Sequence, residues 1–154
     1  MSVWHKINDS PTVFVFVHGL LSNSAKCWTS DSGIFWPDLI AEDPRFKSPS
    51  IFLAEYHTSI LSNDYGVHNC ADEVFEQLKR EDSSRNIPPI NKDNIVFVTH
   101  SAGGIVTRYL LASYSDYFCE KNIGLCLYAS PSFGSKWSSW LRPIAGIFNH
   151  KLAK

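Results

Sequence analysis

The sequence predicts an α/β protein built on a mainly parallel sheet with helices on both faces. Three observations lead there. Four short apolar runs occur at Thr12–Val17, Ser50–Ala54, Asn94–Thr99 and Ile123–Ala129, the first of them rich in β-branched and aromatic residues. Each run is apolar on consecutive rather than alternate positions, the pattern of a strand buried on both faces. Helix-type periodicity lies between the runs, and that alternation is the signature of βαβ units. A chain of 154 residues is one domain's worth of length and buries enough surface to need no disulfide staple.

The elements follow in order. TVFVFV starts after Pro11 and stops at Gly19. Polar loop chemistry occupies Ser22–Gly33, and Ile34–Ala41 has helix-like spacing that ends before Pro44. SIFLA is the second strand, and the polar stretch Tyr56–Gly66 reads as a loop. Ala71, Val74, Phe75 and Leu78 fall at i, i+3, i+4 and i+7, with Asp72, Glu73, Glu76, Gln77 and Lys79 opposite, which makes an amphipathic helix. Glu81–Asn94 holds two prolines and reads as a loop. NIVFVT is the third strand. His100-Ser101-Ala102-Gly103-Gly104 punctuates it sharply, and Ile105–Leu111 continues as a helix that extends back to Ala102. IGLCLYA is the fourth strand, and the tail carries one short helix around Trp137–Leu141.

Composition excludes several functions. Lys plus Arg total 14 and Asp plus Glu 15, so no basic footprint exists for nucleic acid or an anionic membrane. The run Val13–Val17 is too short for a signal-peptide core or a transmembrane span. Cys27, Cys70, Cys119 and Cys126 match no zinc or redox spacing, and we expect them reduced and mostly buried. His57, His68 and Cys70 match no metal-ligand pattern. The expectation is a cytoplasmic protein with no metal, no cofactor, no nucleic-acid partner and no transmembrane segment; oligomeric state is not legible.

The chemistry concentrates at residues 99–104. A serine on a tight strand-to-helix turn has its hydroxyl pushed clear of the backbone. The helix must double back against its own strand, so small neighbours are required, and Gly103 supplies one. The N-terminus of the following helix aims free N–H groups at the same spot, where they favour a developing negative charge. Phosphate binding is a rival use of such a helix N-terminus, but neither GxxxxGK[ST] nor a full G-x-G-x-x-G is present.

IVFVTHSAGGIVTRYLL resembles the nucleophile elbow and following helix of α/β-hydrolase-fold serine esterases and lipases. VFVFVHGL resembles that family's strand and His-Gly oxyanion loop, and LYASPSFGS the strand after the elbow helix in lipase-like members. The three blocks stand in family order, from about Thr12 to Trp140. The resemblance implies an α/β-hydrolase fold acting on a small-molecule or lipid ester. By position it makes Ser101 the nucleophile, with oxyanion N–H groups from Ala102, next to it, and Leu20, directly after His18-Gly19. His18 and His100 match the motif histidines beside the reactive centre and are expected at the substrate. Thr99 departs from the pattern, which usually has Gly there.

Nucleophile, acid and base follow in the order Ser, Asp or Glu, His in this fold. No Asp or Glu occurs after Glu120, and His150 is the only His after Ser101. The order Ser101, Asp116, His150 exists, but Asp116 ends the elbow helix away from the strand C-termini, and His150 sits in the basic tail HKLAK; we read it as coincidence. The expectation is a single, C-terminally incomplete hydrolase domain spanning 1–154, marginally stable and with little turnover alone, its acid and His lying beyond Lys154. His57, just after the second strand, is a candidate for the substrate pocket. Trp137, Trp140, Leu141, Ile144, Ile147 and Phe148 form an apolar stripe, either core or acyl-binding wall. The alternative to an esterase is a non-catalytic hydrolase-fold module that binds an apolar ligand; acyl transfer would use the same residues as hydrolysis.

Overall fold

A computed structural model describes residues 3–19, 22–57, 66–82 and 84–131. Five strands form one sheet: β1 (Val3–Lys6), β2 (Thr12–Val17), β3 (Ser50–Ala54), β4 (Asn94–His100) and β5 (Asn122–Tyr128). Their order is β1-β3-β2-β4-β5. β1 runs antiparallel to β3, and every other neighbouring pair is parallel. The helices are α1 (Ser24–Trp28), α2 (Trp36–Glu42), α3 (Val67–Lys79), α4 (Gly103–Ser113) and α5 (Ser115–Phe118).

Side-chain alternation along β2 divides the core in two. Val13, Val15 and Val17 point with Phe52, Ala54, Ile95 and Phe97 toward α3 and α4. Phe14 and Phe16 point with Ile51, Leu53 and Val98 toward α1 and α2. Period-2 geometry thus turns a continuous apolar run into two opposed faces, each covered by helices. α3 buries Ala71, Val74, Phe75 and Leu78. Its Asn69 side chain accepts from the Gly66 N–H at 2.8 Å, satisfying a donor at the helix start. Phe75 stacks on Tyr114 at 3.6 Å between ring centroids, which ties α3 to the far end of α4.

Several elements differ from the sequence expectation. β1 is a fifth strand, drawn from an N-terminal segment with no strong local signal and made by pairing with β3. α1 lies inside the expected loop; the Asn23 side chain caps it by accepting from the Lys26 N–H at 2.8 Å. α2 starts at Trp36 rather than Ile34, because Pro37 sits in its first turn and Phe35 bridges in extended form to Thr29. β5 was expected to be buried on both faces, yet Cys126, Leu127 and Tyr128 are exposed. Ile123 and Leu125 pack against the core, while the outer edge carries no neighbouring strand among the described residues.

All four cysteines are free, but only Cys70 is buried and Cys27 is intermediate; Cys119 and Cys126 are exposed, which corrects the expectation of mostly buried thiols. Burial and the nearby Glu73 carboxylate push the Cys70 thiol up to about 11, so it stays protonated. Among the described residues no helix is long and apolar enough to cross a membrane. The C-terminal helix expected around Trp137–Leu141 and the apolar stripe that includes it lie outside the described residues.

Leu78 is fully buried between α3 and the sheet. Leu78→Ala is expected to lower the free energy of unfolding by about 2–5 kcal/mol, measured by urea denaturation against the parent chain.

Candidate active site

The chain leaves β2 toward β3 on one side and leaves β4 toward β5 on the other. A parallel sheet opens a crevice beyond the strand C-termini at such a switch point. His18-Gly19 follows β2 and His100-Ser101-Ala102 closes β4. The register aligns Val17 with Thr99, so the two segments emerge side by side.

Ser101 has φ 53°, a left-handed conformation that costs a residue with a side chain roughly 1–3 kcal/mol. The surroundings hold it there from both sides. Its N–H donates to the Tyr128 carbonyl at the end of β5, 2.8 Å away. Its carbonyl accepts from the Ser130 hydroxyl at 2.6 Å and from the Gly104 N–H at 3.2 Å. The bend also requires backbone approach that no side chain permits. A Cβ at Gly103 would lie 2.5 Å from the carbonyl oxygens of both Val17 and His18. A Cβ at Gly104 would collide with Ser130 Oγ. Gly19 faces the serine, since a Cβ there would come within 3.0 Å of Ser101 Cβ and 3.2 Å of His100 Nδ1. Thr99, the residue that departs from the family pattern, is accommodated: its hydroxyl donates to the Cys126 carbonyl at 2.9 Å.

α4 starts two residues after Ser101. The N–H groups of a helix's first turn have no intrahelical acceptor and carry the positive end of its dipole. Ala102, the residue directly after Ser101, is the N-cap of α4. Leu20, the second expected donor, lies outside the described residues; the described part of its loop reaches Gly19, against Ser101.

His18 is buried at 1% exposure. Its Nδ1–H donates to the Gly19 carbonyl at 2.9 Å. Its ring stacks on Tyr56 with centroids 4.7 Å apart, and the Tyr56 hydroxyl donates to the His18 carbonyl at 2.8 Å. Burial holds the His18 imidazole below its ordinary value of 6.5, partly offset by the Gly19 hydrogen bond. His18 and Tyr56 therefore clamp the loop that carries Gly19.

His100 is half-buried at the end of β4, and its Nδ1 is buried with no hydrogen-bond partner among the described residues. The Trp28 ring meets it edge-on at 6.4 Å. Trp36 meets Tyr128 edge-on at 4.6 Å. An aromatic wall from α1 and α2 thus lies against the residues flanking Ser101. His57 stands elsewhere: 81% of its side chain is exposed, and Nδ1 pairs with Glu73 on α3 at 3.1 Å. It follows β3, and β2 runs between that strand and β4.

The structure brings together Ser101, Ala102, Gly19, His18 and His100. Sequence reasoning did not find Tyr56, Gly104 or Ser130, the residues that lock this cluster. Gly104 and Ser130 are far apart in sequence, and only the β4–β5 pairing makes them partners. Asp116 lies in α5, at the opposite end of α4 from Ser101. Among the described residues no imidazole is hydrogen-bonded to the Ser101 hydroxyl, and none are gathered with carboxylates or thiols as a metal site.

Two outcomes follow from this geometry. Gly103→Ala forces a Cβ into two carbonyl oxygens that cannot move without breaking β2, so the variant is expected to lose several kcal/mol (about 2–4), read by thermal unfolding. His18 is held neutral, whereas the unfolded chain takes up its proton near the ordinary value of 6.5. Stability is then complete above that pH and is lost as pH falls below it toward the depressed folded value. The melting temperature is expected to drop across that interval, and His18→Phe, which keeps a stacking ring but does not titrate, is expected to flatten the slope.

No curated protein matches the chain. Among solved structures it is similar to a protein titled "Lipase-esterase related protein" from Clostridium acetobutylicum ATCC 824, with a TM-score of 0.59 and 14% sequence identity, covering 99% of this chain and 56% of that one. At that identity the likeness is one of fold, and the chain spans just over half the length of that protein. A family model matches residues 8–137, a span that holds β2 to β5, the whole elbow and the His18-Gly19 loop, and the chain belongs to that family, described as "Putative serine esterase (DUF676)".

Proposed function

We propose that the chain carries the nucleophile of a serine hydrolase that cleaves carboxylic esters or thioesters through an acyl-Ser101 intermediate. The observation that carries this reading is the left-handed backbone of Ser101, φ 53°, at the mouth of the crevice with Gly19 against its side chain. Strain of this kind is kept where surrounding contacts enforce it, and in this reading it serves to present the hydroxyl beside a helix N-terminus.

In the proposed reaction Ser101 Oγ bonds to the ester carbonyl carbon while its proton passes to a base. The carbonyl oxygen becomes an oxyanion held by the Ala102 and Leu20 N–H groups. Collapse expels the alcohol or thiol, which leaves with the proton, and the acyl group stays on Ser101. Water, deprotonated by the same base, then attacks the acyl carbon and releases the acid and free serine. We assign His18 to holding the oxyanion loop and His100 to the substrate side of the wall; His57, paired with Glu73 on α3, is given no substrate contact. The base and its orienting acid are proposed to come from outside the described residues. Substrates are small-molecule or lipid esters, and four unpaired thiols support a reducing, cytoplasmic setting.

A second reading, a hydrolase-fold module that binds an apolar ligand without turning it over, draws support from the fact that among the described residues no imidazole is hydrogen-bonded to the Ser101 hydroxyl. A fluorophosphonate probe separates the two in a protein that carries the base and acid as well as residues 1–154. The esterase reading expects labelling of residue 101, lost in Ser101→Ala, together with hydrolysis of a short p-nitrophenyl ester. No label from such a protein, folded by circular dichroism, supports the binding module instead.

A further inference from the structure

β3 ends at Ala54, but residues 55–57 stay gripped, and side chains of α3 do the gripping. The Gln77 amide takes both backbone groups of Glu55. Its Oε1 accepts from the Glu55 N–H at 3.1 Å, and its Nε2 donates to the Glu55 carbonyl. One helical turn earlier, Glu73 accepts from the His57 N–H at 2.9 Å. Gln77 and Glu73 thus extend β3 as a neighbouring strand would, and they fix the backbone from which the side chains of Glu55 and Tyr56 project.

Those two side chains reach opposite ends of the loop between β2 and α1. The Tyr56 hydroxyl holds the start, through the His18 carbonyl. The Glu55 carboxylate holds the end. Ser24 is buried and is the first residue of α1, and its hydroxyl donates to Glu55 Oε1 at 2.6 Å. A bond this short to a carboxylate oxygen belongs to the stronger, charge-assisted class.

α1 carries the consequence to the site. Cys27 lies against the Gly19 backbone, and Gly19 faces Ser101. Trp28 meets His100, the residue before the serine. α1 is five residues long, and a helix of about one turn has no stability of its own. Its placement is therefore set by its anchors, Ser24 among them.

We propose that Glu55 is a positioning residue for the nucleophile site: held by Gln77, it fixes the start of α1, and α1 in turn holds Gly19 and His100 beside Ser101. The assignment rests on the reading of Ser101 as nucleophile. Glu55 acts through Ser24 and has no contact with the reacting atoms. A loosened α1 lets the Gly19 loop drift from the serine, so the loss falls on the transition state rather than on substrate binding.

The test uses a protein that carries the base and acid as well as residues 1–154, assayed with a short p-nitrophenyl ester and a fluorophosphonate. Ser24→Ala removes one oxygen and leaves a good helix former, so the fold is retained, as circular dichroism verifies. It is expected to lower kcat and the rate of labelling at residue 101 by about tenfold to a hundredfold, with KM changed by less than about twofold. Glu55→Ala is expected to match it, and the double variant to be no slower than either, because both substitutions remove the same contact. Glu55→Gln keeps an oxygen that accepts from the Ser24 hydroxyl and is expected to stay within about threefold of the parent. Folded variants that turn over and label like the parent, losses that multiply in the double variant, or a Glu55→Gln as slow as Glu55→Ala would each overturn the assignment. The two readings fail separately. A parent protein that takes no label removes the nucleophile, and the positioning role with it. A parent that labels at residue 101, with Ser24→Ala labelling equally fast, removes the positioning role alone.

Discussion

The contact on which the rest depends is between backbones. The first turn of α4 lies so close to the carbonyls that end β2 that Gly103 has no room for a single carbon beyond its Cα. Between β4 and α4 the chain turns left-handed at Ser101. The strain is local, but its restraints come from the whole sheet. β5 supplies the Tyr128 carbonyl and, just beyond it, the Ser130 hydroxyl. β2 supplies the wall against Gly103, and β3 leads into Tyr56, which secures the loop after β2. Four strands thus converge on the backbone of one bend.

The polar groups around the bend divide into those that build and those that face the crevice. His18, Tyr56 and Ser130 spend their hydrogen-bonding capacity on backbone carbonyls. A buried neutral imidazole that donates to a carbonyl is a strut, and its low proton affinity follows from the same burial that makes it one. His100 has the opposite character, with a buried nitrogen unpartnered among the described residues and a ring against Trp28. Unsatisfied buried polar atoms concentrate where a structure is arranged for something other than its own stability.

Much of this was legible in the sequence where the signal is local. β2 and β3 stand out as unbroken apolar runs, and α3 as a stripe at helical spacing. The Ser101 bend is legible because strand, small residues and helix are contiguous. What was not legible depends on residues distant in sequence. β1 is four residues whose strand character comes from β3. α1 is a single turn hidden in polar residues, with Asn23 as its one available signal. Gly104 has an evident role only once Ser130 is known to touch it, and Tyr56 sits in a segment whose composition reads as loop. The exposure of Cys126 and Cys119 was missed because cysteine's usual burial says nothing about which strand lies at the edge of a sheet.

The most direct test of the central claim is a crystal structure of the chain soaked with an alkyl boronic acid. The account predicts a positive φ at residue 101, a tetrahedral boron bonded to its Oγ, and one boron-bound oxygen accepting from the Ala102 N–H. A Ser101 with ordinary helical φ, continuous with α4, or a boronate bound away from the crevice with Gly19 withdrawn from the serine, would contradict it.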